Sequence, residues 1–90
     1  MDHEKRRKIA KDLILDGKIT ELKDLFNYID KKYLHQKAGI NYGRLIRNTK
    51  NAKGWKFEDA SSIASVMEVP FRTIVNLIAN QVEAGKKKWN

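Results

Sequence analysis

Apolar residues along this chain recur at spacings of three and four, and that period predicts helices nearly throughout. Over residues 4–15, Ile9 and Leu13, with Ala10 and Ile14 beside them, give one face, and Asp16-Gly17 is a natural stop. From Ile19 to Ile29 the stripe Leu22, Leu25, Phe26 and Ile29 predicts a second helix, with Thr20 as its N-cap. Asp30 suits the N-cap of a third helix over residues 31–38, whose Tyr33, Leu34 and Ala38 face inward. Gly39 fits a left-handed helix end, Ile40 plugs the turn, and Asn41 caps a helix over residues 42–49. In that helix Leu45 and Thr49, with Tyr42, point one way; Arg44 and Arg47 point mostly the other.

A polar stretch from Thr49 to Lys56 reads as a loop, anchored on the core by Trp55 and Phe57. The spacing of Phe57, Ala60, Ile63, Ala64 and Met67 predicts a helix over residues 57–67, with Glu58 and Asp59 favourably placed in its first turn. Val69-Pro70 breaks it. A last helix runs from Phe71 to Val82 or Glu83, with Ile74, Val75 and Ile78 inward and Leu77, Val82 and Trp89 as additional apolar surface. Gly85 and the run Lys86–Lys88 make a tail that adds nonspecific affinity for phosphate. No period-two run predicts a strand, so the expected class is all-α.

Charge alters this picture. Lys31, Lys32, Lys37, Arg44, Arg47, Lys50, Lys53 and Lys56 fall between residues 31 and 56, where there is no Asp or Glu. Before that stretch seven bases match seven acids, and after it four match four, so the formal net charge of +8 belongs to this one segment. Charge sorted in this way suits a polyanion.

Composition excludes several other classes. With no cysteine there is no disulfide and no thiolate metal site. His3 and His35 read as surface or packing residues, so no metal and no cofactor is expected. No paired carboxylates, nucleophile–base pair or phosphate-cradling glycine loop is visible, so neither catalysis nor a small-molecule substrate is expected. No apolar run reaches the ~20 residues of a membrane span, and a cytoplasmic location is expected.

Two short helices joined by Gly39-Ile40-Asn41 describe a helix-turn-helix, whose first helix crosses the phosphate backbone while the second enters the major groove. The stretch from Asp30 to Leu45, DKKYLHQKAGINYGRL, resembles the helix-turn-helix of the lambda and 434 repressor-like (Cro/C1, or XRE) superfamily. The stretch from Phe57 to Pro70, FEDASSIASVMEVP, is similar to that family's fourth helix and the entry to its fifth.

The resemblance covers roughly residues 19–82. It implies a compact five-helix domain that binds double-stranded DNA, often as a homodimer on a two-fold operator, in a small bacterial or phage-type transcriptional regulator. Residues 1–18 would then be an additional N-terminal helical arm, residues 19–82 the DNA-binding domain, and residues 83–90 a basic tail.

Carried over by position, the resemblance makes Tyr42, Gly43, Arg44 and Arg47 the residues that face base edges. It makes Lys31, Lys32, Asn41, Lys50, Lys53 and Lys56 phosphate contacts. Arginine is a sensible reader, since its fork matches N7 and O6 of guanine. His35 and Asn48 depart from the family's pattern, which has a small residue at the first position and often an apolar one at the second. Asn48 with Ile46 leaves two arrangements open. Either the helix is rotated so that Leu45 and Thr49 mark its inner face, or Ile46 is an exposed contact for a thymine methyl or another protein.

Two rivals to DNA binding remain. A protein-interaction module on the same fold would use Ile46, Leu77, Val82 and Trp89. An RNA or an anionic membrane would use the same charge, but the helix-turn-helix adds nothing to either. Ninety residues leave no room for a separate sensing domain, so control is expected through dimerisation, abundance or a partner.

Overall fold

Local capping chemistry sets most helix ends. In the computed structural model, which describes residues 2–87, Asp2 accepts a hydrogen bond from the Lys5 backbone N–H at 2.8 Å and starts helix α1, His3–Leu15. Its inner face is Arg7, Ala10 and Ile14, with Leu13 packed at the edge of the core. Ile9, expected on that face, is 42% exposed.

The segment Ile19–Ile29 departs from expectation. It forms only a short 3-10 helix, Leu22–Asn27, preceded by Glu21 in an extended conformation with no side-chain cap. Thr20 is therefore not the N-cap; its carbonyl instead accepts from Asn80 Nδ2 at 2.8 Å. Leu22 and Leu25, both fully buried, are three residues apart, a spacing that either kind of helix accommodates, so the flanking residues decide. Asn27, Tyr28 and β-branched Ile29 then oppose continuation as an α-helix.

Helix α2, Lys31–Ala38, and helix α3, Tyr42–Lys50, follow at nearly the expected bounds. Gly39 ends α2 with φ 71°, the left-handed conformation in which a side chain is strained. Ile40 is buried in the turn. After a 3-10 turn, Ala52–Gly54, come α4, Phe57–Met67, and α5, Phe71–Lys87. The described residues thus hold five α-helices, two 3-10 helices and no strand, and the chain is all-α.

α4 is the hub. It packs against α5, α2 and α1, and Ile63, Ala64 and Met67 supply the centre of the core. The core closes with Leu22, Leu25, Leu34, Leu45 and Ile74. Leu77, expected as additional surface, is 5% exposed and belongs to it, because it follows Ile74 by one turn on the buried face of α5. α5 continues through Lys87, so Gly85 lies within it. The expectations for Lys88 and Trp89 fall outside the described residues.

A buried arginine adds a polar tie to the apolar contacts of α1. Arg7, 8% exposed, bonds Glu4 on its own helix and Glu68 beyond the end of α4, the latter at 2.7 Å. These two carboxylates raise the Arg7 pKa above its ordinary value; the Arg7 hydrogen bond in turn holds the Glu4 carboxyl below the usual range. Glu68 is the one non-glycine residue with positive φ (57°) among the described residues, so the ion pair sits on the strained residue that ends α4. No helix among the described residues is long and apolar enough to cross a membrane.

Candidate nucleic-acid interface

The turn between α2 and α3 is built from side-chain chemistry. Asn41 Oδ1 accepts from the Arg44 backbone N–H at 3.0 Å and so caps α3. Asp30 occupies the N-cap position of α2 but makes no side-chain cap bond. His35 Nδ1 lies 3.1 Å from the Ile40 carbonyl oxygen, and its ring sits 5.1 Å from that of Tyr42, so the departing histidine braces the turn from inside. His3 stacks on Tyr33 at 4.5 Å, which brings the start of α1 onto α2.

α3 presents two unlike faces. Leu45 and Asn48 are buried, with Arg44, Ile46 and Thr49 half-buried around them. Gly43, Arg47 and Lys50 are exposed, and their i, i+4, i+7 spacing places them in one stripe. Tyr42 is 40% exposed beside it. At Gly43 an added Cβ would lie 3.3 Å from the capping oxygen of Asn41, so a small residue there keeps the cap undisturbed.

Asn48 faces inward and stays polar because it has a partner: its Nδ2 donates to the Gly54 carbonyl at 3.1 Å. That bond joins α3 to the turn carrying Lys53. A Cβ at Gly54 would overlap Asn48 Oδ1. Gly54→Ala is therefore expected to break the bond and cost about 2 kcal/mol in urea unfolding, the sum of overpacking and a stranded amide.

Arg44 does not share the exposed stripe. Its Nη2 donates to Asp59 Oδ1 at 2.7 Å, and the Asp59 side chain is only 3% exposed. Asp59 also accepts from the Lys56 backbone N–H at 3.4 Å, across the start of α4. Arg44 Nε is buried without a hydrogen-bond partner. Hence Asp59, expected to favour its own helix terminus, also ties α3 to α4. The signal available in the sequence was that Asp59 sits three residues after the N-cap position of a helix, where a carboxylate can reach back to the backbone.

The remaining bases divide by exposure. Lys32, Lys37, Arg47, Lys50, Lys53 and Lys56 are exposed, and among the described residues none of them makes an ion pair. Lys31 is half-buried, with its Nζ 5.8 Å from the centre of the Phe26 ring.

The loop anchor also differs from expectation. Trp55 packs against the core, but Phe57 is 77% exposed and meets only the edge of Phe71, at 6.2 Å between ring centres. Phe57 continues the buried stripe of α4 in sequence, yet it is the first residue of the helix, and burial on that stripe begins one turn later, at Ala60.

No family model, curated protein or solved structure matches the chain.

Proposed function

We propose that this chain binds double-stranded DNA through α2, the Gly39–Asn41 turn and α3, as a helix-turn-helix domain of the lambda and 434 repressor-like kind and a small transcriptional regulator. The observation that carries this reading is the exposed stripe Gly43, Arg47 and Lys50 on α3, presented by a tight capped turn in a segment without carboxylates. α3 would enter the major groove. Tyr42 and Arg47 would face base edges, with Gly43 letting the backbone approach closely. Lys32, Asn41, Lys50, Lys53 and Lys56 would meet phosphates, with Lys31 lending charge from beside Phe26. Arg44, engaged by Asp59, serves in this reading as a positioning residue that fixes how α3 sits on α4, and not as a reader. A homodimer on a two-fold site is part of the proposal.

Selection of bound sequences from random duplex DNA tests it. An enriched two-fold motif is the expected outcome; recovery of no preferred sequence would leave only a nonspecific binder. Arg47→Ala is expected to flatten preference among sites, losing about 1–3 kcal/mol at its own base pair, whereas Lys53→Ala should weaken every site alike. Equal loss on every sequence from both would remove Arg47 from the readers.

The rival reading, a protein-interaction module on the same fold, has one observation in its favour: the exposed Phe57–Phe71 pair. Sedimentation alongside DNA titration separates the two, since association without a DNA shift favours the rival.

A further inference from the structure

Beyond α3 the fold builds a groove of about 810 Å³ that DNA binding alone does not account for. One wall is the end of α3 and the following 3-10 turn, which contribute Lys50, Ala52 and Lys53. A second is the start of the first 3-10 helix, with Glu21 and Lys23. The last turns of α5 supply Gln81, Val82, Ala84 and Lys86.

Gln81 sets the shape. Its Oε1 accepts from the Lys23 backbone N–H at 2.9 Å, and its Nε2 donates to the Thr49 carbonyl at 2.9 Å. One side chain, 8% exposed, thus fixes both walls relative to α5. With both ends of its amide engaged, Gln81 offers little to a ligand, and Ala52, Val82 and Ala84 leave an apolar lining. Four lysines and one glutamate border that lining, a formal balance of +3 (four minus one). Glu21 and Lys23 are 3.9 Å apart, a loose pair at the rim.

A phosphate backbone would use the lysines and waste the methyl groups. A neutral apolar ligand would use the methyl groups and waste the lysines. We propose that the groove binds an acidic peptide segment, one in which an aliphatic side chain flanked by Asp or Glu enters between Val82 and Ala52 while the carboxylates meet Lys23, Lys50, Lys53 and Lys86. Its volume falls in the range of about 300–1,000 Å³ of ligand-sized clefts. The site stands whether or not the chain binds DNA. Its regulatory consequence rests on that reading: Lys50 and Lys53 belong to both surfaces, so a bound acidic segment competes with DNA for them.

Fluorescence anisotropy tests this on the full chain. The probe is a short labelled peptide alternating Leu with Glu; the comparisons are a poly-glutamate of equal charge and a Leu–Lys peptide. The Leu–Glu probe is expected to bind about tenfold tighter than poly-glutamate, and Lys86→Glu, at an exposed position, to weaken it about tenfold. Val82→Asp should do the same, while Lys8→Glu on α1, the same change of charge elsewhere, should leave binding unaltered. Failure of the probe to bind, equal binding of poly-glutamate, or indifference to Lys86→Glu overturns the proposal. If Lys86→Glu weakens duplex DNA as much as Lys53→Glu does, the groove is a path for nucleic-acid backbone and the peptide assignment fails. Peptide binding by a protein that ignores duplex DNA would uphold the groove and defeat the DNA reading.

Discussion

Raising salt from about 50 to about 200 mM is expected to weaken duplex DNA binding about a thousandfold. Eight bases lie between residues 31 and 56, but two of them are half-buried. Arg44 is paired with Asp59, and Lys31 rests against Phe26. Six exposed bases remain: Lys32, Lys37, Arg47, Lys50, Lys53 and Lys56. If each of the six displaces one counterion, Arg47 from the groove and the lysines from the backbone, log K falls with log salt at a slope of about −5. Each exposed lysine replaced by alanine should make that slope shallower by about 1, which a salt series on every variant measures. A flat salt dependence would sink the DNA reading. A slope near −7 would mean that Arg44 and Lys31 leave their partners when DNA binds.

Arg44→Ala is expected to destabilise the fold by about 3 kcal/mol, because it leaves a buried carboxylate with no counter-charge. Asp59 would keep only its long bond to the Lys56 backbone N–H. Asp59→Ala should cost less, about 2 kcal/mol, since the Arg44 side chain is 29% exposed and its guanidinium can turn out to water. Replacing both, Arg44→Met with Asp59→Leu, should recover much of the loss, as apolar pairs of similar volume often equal a buried ion pair. Urea unfolding of the three variants checks the order. A loss below about 1 kcal/mol for Arg44→Ala would show that the pair does not hold α3 on α4. Where Arg44→Ala remains folded, its preference among DNA sites should match that of the parent chain; a changed preference would restore Arg44 to the base-reading set.

These expectations show which features a sequence carries in plain view. The ends of α2 and α3 were legible because their causes are local. Gly39 takes a left-handed conformation, and Asn41 caps a backbone N–H three residues on. The concentration of charge was legible for the same reason. The role of Arg44 was not. Helical spacing showed it pointing away from Leu45, but its partner lies fifteen residues on; Asp59 stands four residues before Ile63 on the inner stripe of α4, yet an acid in a first turn is already accounted for by the helix dipole.

Phe57 erred in the opposite direction, since its spacing matches Ala60 and Met67 but the core ends before it does. The segment Ile19–Ile29 shows a third limit. Two buried leucines three residues apart fit a 3-10 helix and an α-helix equally well, and the flanking residues decide. The groove was illegible altogether: Gln81 stands seven residues after Ile74 on the inner stripe of α5, but its two partners, Lys23 and Thr49, are named by no spacing.

Those two bonds also bear on the order in which the molecule assembles. Gln81 reaches back 58 residues to Lys23 and 32 to Thr49. A chain grows from its N-terminus on the ribosome. While only its first seventy residues are exposed, α2 and α3 can form and pair, but the carbonyl at the end of α3 and the N–H at the start of the first 3-10 helix still face water. They are satisfied only when α5 emerges and docks. The basic end of α3 is thus finished late in synthesis, only once α5 has docked.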